Sequence, residues 1–143
     1  MAFKNILVPV DFTDDARRVL AKAQELAAET GAHLALLHVG VSTDAVLSGA
    51  AGSVYHNLAE RIESEQRETL SRMATELVPA EQPYSQHLRH GEPASEIVAC
   101  AEEGGHDLIV MGTHGRRGLA RMLLGSVAEQ VVRSSPIPVL LIR

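Results

Sequence analysis

The chain contains one cysteine, Cys100, no tryptophan, and only 3% aromatic residues. A single cysteine excludes an intramolecular disulfide and a multi-cysteine metal site. The scarcity of aromatic side chains removes the usual stacking platforms for single-stranded nucleic acid. The formal net charge of -5 also disfavours non-specific binding to nucleic acids or anionic membranes. We therefore expect neither a nucleic acid nor a membrane as a partner.

The N-terminal segment also lacks a long apolar run and a cleavage signal, since Met1 to Asn5 lead directly into a strand-like segment. A cytoplasmic location is the expectation that follows. The length of 143 residues is typical of one compact domain. We expect a single domain that spans residues 1–143.

Short apolar runs alternate with amphipathic helical patterns along the whole chain, which predicts an open parallel sheet with helices on both faces. The third run is more polar than the others, as expected of an edge strand. The predicted strands are Ile6 to Val10, Leu34 to Val39, Tyr84 to Arg89, Leu108 to Met111 and Val139 to Ile142.

The helical patterns lie between these runs, and the stretch Gly40 to Ser53 has no periodicity, so we expect a mobile connection there. Gln66 is the one polar residue that interrupts the apolar stripe of the second helix. Cys100 lies on the apolar face of the third helix, as a small core residue would. The first predicted helix carries the apolar positions Ala16 to Ala27 and stops at Gly31, and the third begins at Pro93 and stops at Gly104-Gly105. The second is predicted from Val54 to Val78 and the fourth from Val127 to Arg133.

The first helix has recognisable boundary residues. Thr13 is a suitable cap, and Asp14 and Asp15 would meet the positive end of the helix dipole in the first turn. Gly31 supplies the stop. If Thr13 caps the helix, Asp11 remains available for a ligand, although an aspartate at that position could also form a turn.

Glycines 112, 115, 118 and 125 lie within fourteen residues, directly after the fourth predicted strand and before the last predicted helix. Glycine allows a bulky anion to approach the main chain, and a helix that follows offers unpaired N–H groups and the positive end of its dipole. The segment Gly112 to Ser126 is therefore predicted to bind phosphate groups.

This segment also concentrates positive charge in an acidic chain. It carries His114, Arg116, Arg117 and Arg121, and no acidic residue lies from position 108 to position 128. Charge-assisted hydrogen bonds from such side chains suit a polyphosphate. Each arginine could equally be a solvated surface charge, and Arg121 has the weakest case.

The glycine spacing differs from that of the P-loop and from the G-x-G-x-x-G dinucleotide fingerprint. Gly112 is followed by two residues, Gly115, nine residues and then Gly125-Ser126. This G-2x-G-9x-G-[ST] pattern resembles the ATP-binding motif of the universal stress protein family. The resemblance covers nearly the whole chain, including the opening Ile-Leu-Val-Pro-Val-Asp strand, His38-Val39, the Asp107-Leu-Ile-Val-Met-Gly-Thr-His-Gly-Arg segment and the closing Ser-Pro-Ile-Pro-Val-Leu-Leu-Ile strand.

The resemblance implies a sheet order of 3-2-1-4-5, with the nucleotide over the crevice between strands one and four. Ligands of open parallel sheets bind at such a switch in winding direction, beyond the carboxyl ends of the strands. In the family, the nucleoside pocket is formed by positions that correspond here to Pro9, Asp11, Val39, Met111 and Gly112.

The resemblance also implies ATP as the ligand and a homodimer that pairs through Val139 to Ile142. We expect Mg2+ to accompany the ATP, bound mainly by the phosphates. The family positions that hold the ribose and phosphates correspond here to Gly115, Arg116, Gly125, Ser126 and Val127.

Some of these positions have ordinary structural interpretations as well. Ser126-Val127-Ala128-Glu129 reads as a capping box, in which the serine only satisfies helix N–H groups. The remaining histidines show no paired metal spacing on one face, since His87 and His90 would point to opposite sides of a strand. We expect none of these histidines to bind a metal or another ligand. They are His33, His38, His56, His87, His90 and His106.

Three functions remain open at this point. The first is a regulatory protein that binds ATP without catalysis, because the sequence has no P-loop lysine and no evident residue to position an attacking water. The second is a slow ATPase or phosphoryl-transfer enzyme, for which Asp11 is the only carboxylate that the sequence places near the site. The third is a dimeric interaction module with incidental nucleotide.

Overall fold

The computed structural model describes residues 2–41, 52–113 and 124–143. Strands and helices alternate along these residues, and both kinds of element lie close to where the apolar patterns predict them. Their bounds are β1 Asn5–Pro9, α1 Asp15–Thr30, β2 His33–Gly40, α2 Gly52–Leu77, β3 Tyr84–His90, α3 Pro93–Glu103, β4 Leu108–Gly112, α4 Ser126–Ser134 and β5 Val139–Ile142.

The five described strands form one parallel sheet in the order β3-β2-β1-β4-β5. The α/β class and the order 3-2-1-4-5 are thus confirmed. The chain winds from β1 outward to β3 on one side, then crosses back to β4 and β5 on the other. The switch in winding direction therefore lies between β1 and β4.

Side chains of the central strands alternate between two apolar cores. Ile6 and Val8 of β1 pack with α1 and α2 on one face of the sheet, and Leu7 packs with α3 and α4 on the other. All three are fully buried. Burial on both faces explains why this strand is a continuous apolar run. Cys100 is 4% exposed within the second core, which confirms its prediction as a core residue.

The predictions for the two ends of α1 had different outcomes. Gly31 adopts a left-handed conformation with φ of 74°, and its N–H donates to the Ala27 carbonyl at 2.7 Å, so the predicted stop is confirmed. The prediction that Thr13 caps the helix is wrong. The N-cap is Asp14, without a side-chain capping bond, because the Thr13 hydroxyl donates to the Asp11 carboxylate instead.

The long helix α2 begins at Gly52, two residues before its predicted start. Most of the predicted connection from Gly40 to Ser53 lies outside the described residues, which omit 42–51. Oε1 of Gln66, the polar interruption of the stripe, accepts a hydrogen bond from Nε2 of the His90 ring at 2.8 Å. The polar residue therefore has a partner on β3.

The sheet has one polar and one apolar edge. β3 occupies one edge, as its polar sequence predicts, and β5 occupies the other, where Leu140 is 42% exposed. Across the described residues, no helix combines the length and the apolar character that crossing a membrane requires.

Candidate functional site

A cleft of about 280 Å³ opens at the carboxyl ends of β1, β2 and β4, over the switch in winding direction. The first turns of three helices complete its walls. Its lining residues are Pro9, Val10, Asp11, Asp15, Ala16, Val19, Leu37, His38, Val39, Val41, Pro93, Ile97, Met111, Gly112, Thr113, Val127 and Ala128.

The structure brings six of the ten predicted site residues together in this cleft. Gly125 and Ser126 are described but do not line it, and they form the start of α4 beside it. The predictions for Gly115 and Arg116, and for the other charged residues of the segment 114–121, lie outside the described residues. The six that line the cleft are Pro9, Asp11, Val39, Met111, Gly112 and Val127.

Asp11 stands where the chain leaves β1, and one of its carboxylate oxygens is already engaged. Oδ1 accepts a hydrogen bond from the Thr13 N–H at 3.2 Å and another from the Thr13 hydroxyl. This is an aspartate turn, the alternative that the sequence left open. Oδ2 takes part in neither bond, so the turn orients the carboxylate without using up its acceptor capacity.

The start of α4 differs from the predicted capping box. Gly125 is the N-cap, with an extended ψ of 161°, and Ser126 is already the first helical residue. A capping serine needs the non-helical N-cap conformation, and here glycine takes that position, so no side chain caps the helix. The capping-box interpretation of Ser126 is therefore wrong.

This uncapped helix end borders the cleft. The Gly125 N–H donates to the Thr113 carbonyl at 2.6 Å, which ties the helix to the end of β4. The first ladder bond of α4 runs from the Glu129 N–H to the Gly125 carbonyl at 2.9 Å, so the amides of the first turn are those that a helix leaves unpaired. Val127 and Ala128 of this turn line the cleft. The α4 side of the cleft is consequently favourable to an anion.

The opposite side of the cleft carries negative charge. Asp15 lines it together with Asp11. Oδ1 of Asp15 also forms an exposed ion pair with Nη2 of Arg18 at 3.3 Å. The cleft thus has carboxylates on its β1–α1 side and the positive end of a helix on its β4–α4 side. The sequence interpretation named Asp11 as the only nearby carboxylate and missed Asp15.

Four of the lining residues that the sequence interpretation missed are apolar residues of helices. Ala16 and Val19 come from α1, and Pro93 and Ile97 come from α3. They are apolar residues in the first turns of helices that follow β1 and β3, so their sequence patterns are indistinguishable from those of core positions. The general rule that ligands bind beyond the carboxyl ends of parallel strands is the signal that could have found them.

The sequence is similar to known proteins over nearly the whole length of the chain. The sequence profile of the universal stress protein family matches residues 2–143. Universal stress protein YxiE of Bacillus subtilis is 37% identical over 151 residues, with 99% of this chain and 99% of that protein covered.

Two solved structures extend the comparison to the fold. The structure of MJ0577 from Methanocaldococcus jannaschii has a TM-score of 0.84 at 30% identity, with 99% of this chain and 96% of that chain covered. A universal stress protein from Archaeoglobus fulgidus, solved in complex with dAMP, has a TM-score of 0.69 at 28% identity, with 100% of both chains covered.

Proposed function

The chain belongs to the universal stress protein family, and from this premise we propose that it binds ATP in the cleft at the carboxyl ends of β1, β2 and β4. The observation that carries the proposal is the convergence of six motif positions, distant in sequence, on one cleft beside an uncapped helix end. The dAMP bound by the Archaeoglobus fulgidus relative supports an adenine nucleotide as the ligand class.

The chemistry of the cleft suits the parts of this ligand. Its walls are mostly apolar, as an adenine ring requires, and Asp11 offers the free Oδ2 atom to a ribose hydroxyl or a base N–H group. The first turn of α4, with Gly125, Ser126 and Val127, would bind the phosphates together with Gly115 and Arg116 of the motif. Mg2+ would enter with the nucleotide, because phosphate oxygens are the hard ligands that it prefers.

The polarity of the cleft also favours one orientation. A polyphosphate placed near Asp11 and Asp15 would be repelled, whereas at the start of α4 it would be attracted. The nucleoside is therefore expected on the β1–α1 side and the phosphates on the β4–α4 side. No step of this argument needs hydrolysis, so we propose a regulatory protein of the stress response in which ATP binding alters the surfaces offered to partners.

A homodimer through β5 is the second part of the proposal. β5 is an edge strand with Leu140 42% exposed, and an apolar edge of this kind is stabilised by pairing across a two-fold axis. Sedimentation equilibrium at micromolar concentration should give twice the chain mass, and Leu140→Lys should shift the equilibrium to monomer. A monomer for the unmodified chain would remove this part of the proposal.

The test of the binding site compares Asp11 with a second aspartate, Asp14, three residues later in the chain. Asp11→Asn keeps the Oδ1 acceptor of the turn but replaces Oδ2 by an amide donor, so a hydrogen bond to the nucleotide is lost and a donor would face the donor of the ligand. We expect the Kd for ATP with Mg2+, measured by calorimetry, to rise about tenfold or more. Asp14→Asn is the matched control, since Asp14 is exposed and does not line the cleft. Equal effects of the two variants would show that Asp11 has no part in binding.

A further inference from the structure

One buried side chain holds the residues on both sides of Asp11. His38 on β2 is 2% exposed, and its Nδ1 atom lies 2.9 Å from the carbonyl oxygen of Val10. Its ring also stacks on the ring of Phe12, with centroids 3.8 Å apart and planes 18° from parallel. The same imidazole therefore contacts the residue before Asp11 and the residue after it.

The hydrogen bond acts where β1 leaves the sheet. Pro9 is the last β1 residue in register with β2, where it pairs with Leu37. The Val10 N–H still donates to the Leu37 carbonyl at 2.8 Å, and the carbonyl of Val10 then receives the bond from His38. Because a carbonyl oxygen can only accept, Nδ1 carries the proton in this contact. The side chain thus extends the connection between β1 and β2 by one residue.

The stacking contact fixes the next part of the chain. Phe12 is partly buried and packs against the core shared by β1, α1 and α2. Its ring lies on His38, while Asp11 forms its own turn to Thr13. From Val10 to Thr13, each residue is thus held by a contact, and these contacts leave the Oδ2 atom of Asp11 for a ligand.

The neighbouring positions on this face of β2 are occupied by aliphatic residues. Leu36 and Leu34, respectively two and four residues before His38 on the same face of β2, are fully buried in the same core. A buried imidazole costs free energy unless it is hydrogen-bonded, so its presence at the strand end calls for a role that leucine cannot fill. Donation to the Val10 carbonyl is such a role.

We propose that His38 is a positioning residue of the nucleotide site, which orients Asp11 by holding Val10 through Nδ1–H and Phe12 through its ring. This inference rests on the proposed function, because its consequence is a lower affinity for ATP when the ring or the donor is lost. It also predicts an effect in the nucleotide-free protein, where the chain from Val10 to Thr13 should loosen without the imidazole.

Two substitutions separate the two contacts. His38→Phe keeps an aromatic ring for Phe12 but removes the donor to Val10, and His38→Asn keeps an amide donor near the place of Nδ1 but removes the ring. The matched control is His33→Phe, at the amino end of the same strand, where the histidine contacts Ser85 at 2.9 Å instead of the cleft.

We expect His38→Phe to raise the Kd for ATP with Mg2+ about tenfold, because a buried carbonyl loses its partner. His38→Asn should recover part of that loss, and His33→Phe should leave the Kd unchanged. In the nucleotide-free protein, amide hydrogen exchange at Phe12 and Thr13 should accelerate in His38→Phe, whereas exchange at β4 amides should not.

The outcomes distinguish this proposal from the proposed function. If the unmodified protein binds no ATP, the proposed function fails, and the exchange rates at Phe12 and Thr13 alone decide whether His38 holds the chain. Unchanged affinity and unchanged local exchange in His38→Phe would overturn the positioning role. Acceleration at β4 equal to that at Phe12 would also overturn it, because a general loss of stability would then be the cause.

Discussion

Gly40 lies where β2, β3 and α2 pack together, and an added carbon atom there would be too close to two side chains. A Cβ at this position would lie 2.6 Å from Nε2 of Gln66 and 2.9 Å from Cδ2 of His90. These two side chains share a hydrogen bond of 2.8 Å. The substitution Gly40→Ala therefore has to move one or both of them, and we expect the bond between them to break.

The expected change in the free energy of unfolding is the sum of opposing effects. Loss of a partly exposed hydrogen bond costs about 1 kcal/mol, and a forced side-chain rotation costs about another 0.5 to 1 kcal/mol. Alanine recovers about 0.5 kcal/mol, since it restricts the unfolded chain more than glycine does. The net expectation is a destabilisation of about 1 to 1.5 kcal/mol, which lowers Tm by roughly 3 to 5 °C in a chain of this length.

The assay is a double-mutant cycle on the free energy of unfolding, measured by urea denaturation. In the Gln66→Ala background, the nearest atoms are absent and the His90 ring is free to turn away, so Gly40→Ala should become neutral or slightly stabilising. Gly52→Ala is the control, because no atom of the described residues lies within 4 Å of a Cβ there. An equal cost of Gly40→Ala in both backgrounds would refute the reasoning.

Two further predictions concern pH and can be checked by urea denaturation. The side chain of Glu92 caps α3 by accepting a bond from the Ser95 N–H at 2.7 Å, and its hydrogen bonds with Ser95 lower its pKa below 4.5. Glu92→Gln should therefore have a lower free energy of unfolding than the unmodified protein at pH 7. This difference should shrink as the pH falls through the lowered pKa of Glu92, because the carboxylate is then protonated. A difference that is independent of pH would contradict this prediction. Burial first, and then the positive charges of His106 and Arg89, lower the pKa of His87 below 6.5, so its folded form resists protonation. The unmodified protein should lose more stability between pH 7.5 and pH 5.5 than His87→Gln does, and parallel losses would exclude this contribution.

The sequence predicted the elements of the fold well because β1, β2 and β4 are buried on both faces and so appear as continuous apolar runs. The order of the strands came from the family resemblance, since local periodicity does not specify which strands are neighbours. The more polar β3 was still recognised, because an edge strand needs only partial burial.

Helix starts were harder to predict, because several suitable residues stand side by side. Thr13 and Asp14 compete to cap α1, and Gly125 and Ser126 compete at α4. The hydrogen bond from Thr13 to Asp11 decides the first case, and the tie between Gly125 and Thr113 accompanies the second. Such contacts depend on tertiary structure and leave no local signal in the sequence.

The candidate site was predicted at several strand ends and was mostly missed on the helices, although Val127 of α4 was predicted. Asp11 and Met111 come directly from strand ends, whereas Ala16 and Ile97 reach the cleft only through the packing of α1 and α3. His38 was set aside as a ligand because it has no metal partner in sequence. Its contacts with Val10 and Phe12 appear only when β1 and β2 are paired.

Calorimetric titration of nucleotide-free protein with ATP and Mg2+, beside the same titration with GTP, tests the central claim most directly. We predict saturable binding of one ATP per chain, with markedly weaker binding of GTP. The absence of any saturable heat up to millimolar ATP would contradict it, and so would equal affinity for the two nucleotides, since the cleft would then not recognise adenine.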